Sequence, residues 1–169
     1  MGLETEYVRQ VLDSHSWGAK GSFSKRCAEI LAIAHGSEAV LLTTSCTDAL
    51  ELSALLLNIQ AGDEVIVPAY TFVSTANAFA LRGAKLVFAD ISPETLGIDP
   101  AEIVRALSKK TRAIVPVHYG GIACDIEAIK NIGADAQVPI VEDNAHGLFG
   151  KSRGDLLGSF GQLASLSFH

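Results

Sequence analysis

Six short apolar runs recur along this chain at a nearly even beat, and that beat restricts the folds open to it more than any other feature. They are Val40-Leu41-Leu42, Val65-Ile66-Val67, Leu86-Val87-Phe88, Ala113-Ile114-Val115, Val138-Pro139-Ile140-Val141 and Leu163-Ala164-Ser165-Leu166. Successive runs lie about 20–27 residues apart, the length a strand–helix–strand unit needs. Each is continuously apolar rather than alternating, as expected of strands covered on both faces. The pattern predicts an α/β domain with a mostly parallel sheet.

Helix punctuation agrees. Gly62 follows an apolar helix predicted over Ala49–Ile59, and Gly83 follows one predicted over Ser74–Arg82, both as C-terminal stops. Asp99-Pro100 reads as an N-cap with proline at the first helical position, and Asp125 as the cap of Ile126–Ile132. Glu4–Asp13 and Lys25–Ala34 read as two helices around the Gly/Ser-rich turn Gly18–Ser24. No internal boundary, linker or tandem repeat is evident.

The 169 residues suit a single domain, and 49 % apolar with 19 % charged residues describes a soluble globular chain. A net charge of −6 argues against general affinity for nucleic acid or an anionic membrane. Cys27, Cys46 and Cys124 are scattered and odd in number, as for reduced thiols in a cytoplasmic protein. The start shows no signal-peptide pattern, and no apolar run approaches the roughly 18 residues of a membrane span. Cytoplasm is the expected location.

Chemistry concentrates at the ends of the predicted strands. Val138–Val141 runs directly into Glu142-Asp143-Asn144-Ala145-His146-Gly147. A carboxylate is expensive to bury unless a cation meets it. The carboxyl ends of parallel strands are also where such sheets bind ligands. Thr43-Thr44-Ser45-Cys46-Thr47-Asp48 takes the first predicted strand into a helix start. Hydroxyls and free N–H groups there would suit a phosphate, or serve only as an ordinary cap by Ser45 or Thr47. Tyr70-Thr71-Phe72 offers aromatic faces for stacking or for the core. Pro116-Val117-His118-Tyr119-Gly120-Gly121 reads equally as a binding loop or a structural turn, and Ser167 ends the last strand. The alternatives are a metal site around Glu142, Asp143 and His146, a serine hydrolase and a phospho-acceptor domain. They lack, respectively, a second nearby histidine, a Gly-x-Ser-x-Gly elbow and acidic residues after the first strand.

Taken in order, the stretches TTSCTDALELSALLLNIQAGDEVIVPAYTFVSTANAFALRGAKLVF, KTRAIVPVHYGGIACDI, VEDNAHG and the final SFH resemble the DegT/DnrJ/EryC1/StrS sugar aminotransferases. The nearest branch is that of dTDP-4-amino-4,6-dideoxygalactose transaminases. The likeness runs from about Trp17 to the end. It implies a three-layer α/β domain, the N-terminal part of the fold type I large domain that binds pyridoxal 5′-phosphate (PLP), with residues 1–169 lacking the rest of that domain and the small domain. It implies that Thr47 and the backbone at Asp48 hold the cofactor phosphate, with Ser167 as a further donor. Phe72 would stack on the pyridine ring, Asp143 would pair with the ring nitrogen, and His146 would lie near the phenolic oxygen. Trp17–Ser22 matches a region that contributes to the sugar-nucleotide site. The partners implied are a nucleotide-linked keto sugar, glutamate as amino donor and a second subunit in a homodimer. The family's Schiff-base lysine falls a few residues beyond SFH. Residues 1–169 are therefore expected to carry most of the cofactor shell without that lysine, and not to transaminate alone. A non-catalytic cofactor- or sugar-nucleotide-binding relative, and a dehydratase with histidine in place of the lysine, are the other readings.

Overall fold

The computed structural model describes residues 2–18 and 21–169. Contacts divide the chain into two compact units, Met1–Leu42 and Thr43–His169, where the sequence shows no boundary. The first unit contains helices α1 (Glu4–Asp13) and α2 (Ser22–His35), as predicted, with α2 starting three residues earlier than Lys25. It has little interior of its own: α1 buries no residue, and α2 buries Leu31 and His35. Gly36 closes α2 in the left-handed conformation (φ 62°). Ala19 and Lys20, within the Trp17–Ser22 segment, lie outside the described residues.

The predicted first strand, Val40–Leu42, is not formed, and Leu41 and Leu42 are 67 % and 42 % exposed. A three-residue apolar run becomes a strand only where a neighbouring edge satisfies its backbone. None of the described strands pairs with it.

The second unit holds the sheet. Its strands are β1 (Glu64–Pro68), β2 (Lys85–Ala89), β3 (Thr111–Ile114), β4 (Val141–Asn144) and β7 (Leu163–Leu166). Parallel ladders give the order β2-β1-β3 and the pair β4-β7. Parallel bridges Ile114↔Ile140 and Val117↔Asp143 set β4 beside β3, so the five strands run side by side in one direction. The helices are α3 (Cys46–Leu56), α4 (Val73–Ala80), α5 (Pro100–Ala106) and α6 (Ile126–Ala136). Strand alternation distributes the core. Val65, Val67, Ala113, Val115 and Val141 pack with Leu50 and Ala54 of α3 and with Ala76 and Phe79 of α4. Ile66, Ile114 and Ile140 pack with Ile103 of α5 and with Ile126 and Ile129 of α6. Two apolar layers thus sandwich the sheet, which is why its inner strands read as unbroken apolar runs. Each fully buried isoleucine here is worth about 1.5–3 kcal/mol. Strand β2 lies at the edge, and its Phe88 is 59 % exposed.

Asp99 and Asp125 cap α5 and α6 as predicted, their carboxylates accepting from the Ala101 and Ala128 N–H groups. Helix α3 differs. It begins at Cys46, because the Ser45 hydroxyl caps it, and it ends at Leu56, before the predicted Ile59. Asn58 (φ 52°) makes the first left-handed turn, and Gly62 (φ 95°) bends the chain into β1 instead of stopping the helix. Strand β4 runs three residues past the predicted apolar segment because Glu142, Asp143 and Asn144 are each hydrogen-bonded inside the protein. A small hairpin, β5 (Lys151–Ser152) with β6 (Asp155–Leu156), was not anticipated. Arg153 and Gly154 turn it with φ of 50° and 102°, as a two-residue turn of this kind requires.

Candidate functional site

The carboxyl ends of β1, β4 and β7 and the first turns of α3 and α4 meet around Asp143. This residue is 4 % exposed. Its Oδ2 accepts from the Thr75 hydroxyl at 2.6 Å, and its Oδ1 from the Ala145 N–H at 3.2 Å. Thr71 and Thr75 share a further hydroxyl contact of 2.8 Å. Among the described residues no lysine, arginine or histidine forms an ion pair with Asp143. A carboxylate has about four acceptor positions, so two bonds leave capacity for another donor.

Helix α3 points its N-terminus at the same place. Cys46, its first residue, lies beside Ser165, which stands opposite Asp143 in the β4–β7 ladder. Burial, with the Asp143 charge adding to it, pushes the Cys46 thiol up against the opposing effect of Ser165, so it stays protonated at neutral pH. Thr47 is half-buried, and its hydroxyl donates to Ser74 of α4 at 2.8 Å. Asp48 is already engaged: its N–H donates to the Ser45 hydroxyl at 3.1 Å, and its carboxylate accepts from Thr44. Those hydroxyls hold the Asp48 carboxyl below the usual range. The capping reading therefore describes Ser45, while Thr47 remains turned to the α4 side. Ser167 lies two residues beyond Ser165, and its oxygen accepts from the His169 N–H at 3.1 Å.

Phe72 precedes α4 and is 67 % exposed, so it is not core. His146 is also exposed. Its Nδ1 accepts from the Gly120 N–H at 3.1 Å, which leaves the hydrogen of the uncharged ring on Nε2. Tyr119 stands edge-on to His146 at 5.4 Å and tilts against Tyr70 at 4.5 Å. The neighbouring Tyr70 phenol, through its hydrogen bond and its own charge when ionised, holds the Tyr119 phenol above its usual value. His169 stacks at 6.0 Å from His146, and its Nε2 lies 3.0 Å from the Ala145 carbonyl. Gly121 (φ 78°) lets the loop lie close, since a Cβ there would meet the His146 carbonyl at 3.0 Å.

The loop after β3 thus divides between its two readings. His118 turns inward, is fully buried and bonds Glu142 at 2.9 Å; Tyr119 and Gly120 face the site. Among the described residues no group of three or more His, Cys, Asp or Glu is placed to hold a metal ion. Sequence reasoning assigns no role to Thr75 or Ser74. Their contacts reach 68 and 27 residues along the chain, and the only sequence signal was their place just past an aromatic strand end.

This donor set suits a planar cation with a phosphate arm. A buried carboxylate would meet such a cation, an exposed aromatic its ring face, and a helix N-terminus with hydroxyls its phosphate. The profile of one protein family matches residues 2–169. The chain belongs to the DegT/DnrJ/EryC1/StrS aminotransferase family. The spore coat polysaccharide biosynthesis protein SpsC of Bacillus subtilis (strain 168) is 37 % identical over 166 residues, covering 98 % of this chain and 42 % of SpsC. The putative sugar aminotransferase Spr1654 from Streptococcus pneumoniae, in its PMP form, superposes with a TM-score of 0.93 at 29 % identity, over 100 % of this chain and 46 % of that one. A GDP-4-keto-6-deoxymannose-3-dehydratase with bound GDP-perosamine gives a TM-score of 0.92 at 26 % identity, over 98 % and 44 %. The chain spans less than half the length of the curated relatives it matches, 43 % and 42 %. Its α/β parallel-sheet architecture is that of the DegT/DnrJ/EryC1/StrS aminotransferases, and among the described residues no helix is long and apolar enough to cross a membrane.

Proposed function

We propose that this chain forms the cofactor-holding part of a PLP-dependent aminotransferase that acts on a nucleotide-linked 4-keto-6-deoxy sugar, dTDP-linked by its family branch, with glutamate as amino donor. The observation that carries the reading is Asp143: a carboxylate 4 % exposed, at a parallel-strand end, with no ion-pair partner among the described residues. Leaving it so is costly, and a protonated pyridine nitrogen answers the charge. When bound, the cofactor supplies the electron sink for amine transfer. Thr47, Ser74, Ser167 and the first N–H groups of α3 would anchor its phosphate. Asp48 enters through the helix start it helps to cap, Phe72 would cover the ring face, and His146 would donate from Nε2 to the phenolic oxygen.

The parent is expected to work as a homodimer in the cytoplasm. The likeness to a sugar-nucleotide dehydratase keeps a second reading in view, a histidine in place of the lysine and dehydration in place of amine transfer. The residue at that position in the parent gene separates the two, and a binding-only relative would show neither reaction.

Pyridoxamine 5′-phosphate tests the holding role directly, because it carries no aldehyde to react with surface lysines. Fluorescence titration should show saturable binding at one site per chain, with a Kd in about the micromolar range. Absence of saturation up to about millimolar ligand would overturn the reading.

A further inference from the structure

Glu142 is the strand neighbour of Asp143, is wholly buried, and takes no part in the chemistry proposed above. Its carboxylate gathers hydrogen bonds from His118 Nε2 at 2.9 Å and from the Gly158, Phe160 and Gly161 N–H groups at 2.9, 2.7 and 2.6 Å. His118 is as deeply buried, and its Nδ1 lies 3.6 Å from the Cys124 sulfur. An ionised carboxylate only accepts, so Nε2 carries the hydrogen and the Cys124 thiol is left to face Nδ1. Burial pushes that thiol up to about 12, which keeps its hydrogen in place.

A buried carboxylate–imidazole pair is weak evidence for stability by itself, because apolar residues of like volume often serve as well. What distinguishes this one is where its partners lie. The three amides belong to the segment that delivers the chain into β7, and Ser165 of β7 stands opposite Asp143. On the other side, the His118 N–H donates to the Asp143 carbonyl at 3.1 Å, and the Asp143 N–H donates to the Pro116 carbonyl at 2.9 Å. Successive strand residues face opposite ways, so Glu142 works on the far side of the sheet from the site.

We infer that Glu142 and His118 are a positioning pair for the phosphate end of the cofactor site: by fixing where β7 begins, they set Ser165 and Ser167 against the start of α3. This rests on the cofactor reading given above. Misplacing a group by about 1 Å can cost a hundredfold in a positioned site, so a partial displacement of one donor strand should be visible in binding.

The experiment compares pyridoxamine 5′-phosphate with pyridoxamine, which lacks the phosphate, by fluorescence titration of the wild-type chain, Glu142→Gln and His118→Asn, each checked for folding by circular dichroism. Glu142→Gln should lower the affinity for the phosphorylated ligand about tenfold and that for pyridoxamine less than about twofold, so that the ratio collapses. His118→Asn should move the ratio in the same direction by about threefold. General loosening would weaken both ligands together. An unchanged ratio in a folded variant, equal loss of both ligands, or failure of both variants to fold would overturn the inference and leave the pair a stability element. Failure of the cofactor reading itself shows elsewhere, in a wild-type chain that binds neither ligand.

Discussion

Asp143→Ala should weaken pyridoxamine 5′-phosphate binding by about 30–100-fold while leaving the affinity for inorganic phosphate within about twofold. The factor follows from losing a charge-assisted hydrogen bond in a dry place, about 2–3 kcal/mol, at about 1.4 kcal/mol per tenfold. Asp143 is 4 % exposed, so little solvent screens the pairing. The substitution also strips the Thr75 hydroxyl of its acceptor. That should lower stability by about 1–3 kcal/mol, separately from binding. Asp143→Asn keeps an oxygen for Thr75 and removes the charge, so it should retain most of the stability and still lose most of the affinity. Competition titration with both ligands checks this. Equal loss of phosphate affinity would instead make Asp143 a fold element.

Glu142→Ala should be strongly destabilising, by about 3–5 kcal/mol, because it leaves His118 and three amides without their acceptor in the interior. In urea that is a midpoint lower by roughly 1.5–2.5 M at an m-value of about 2 kcal/mol per M. The effect has a pH signature. Burial alone would raise the Glu142 carboxyl. The His118 bond and the Gly161 and Gly158 amides outweigh burial and hold it below the ordinary 4.5. A group whose folded pKa lies below its unfolded value contributes stability that is complete above the unfolded pKa and is lost as pH falls through the folded one. Wild-type stability should therefore fall on the acid side of pH 4.5, and Glu142→Ala should show a shallower acid limb there. Urea curves from pH 7 down to about pH 3 measure both limbs. A variant within about 1 kcal/mol of wild type, or parallel acid limbs, would remove Glu142 from the centre of this network.

Several elements were legible in the sequence for local reasons. The runs at Val65–Val67, Leu86–Phe88 and Leu163–Leu166 became strands, and that at Ala113–Val115 did as far as Ile114, because continuous β-branched and aliphatic residues suit a sheet. Asp99-Pro100 and Asp125 became caps because a cap is made within a few residues. Asp143 was legible as a carboxylate ending an apolar strand. Elements decided across the chain were not. Val40–Leu42 carries the same apolar signal as the true strands but finds no edge. The polar half of β4 is a strand only because His118, 24 residues away, and Thr75, 68 residues away, satisfy its side chains. The Ser45 hydroxyl, rather than that of Thr47, took the cap of α3, a choice between hydroxyls two residues apart that composition does not decide.

A crystal structure of the chain with pyridoxamine 5′-phosphate tests the central claim most directly. The pyridine nitrogen should lie about 2.7–2.9 Å from an Asp143 carboxylate oxygen. The phosphate should sit at the start of α3 beside Thr47, with the Phe72 ring against the pyridine face. A ring nitrogen turned away from Asp143, or a phosphate bound elsewhere on the chain, would contradict it.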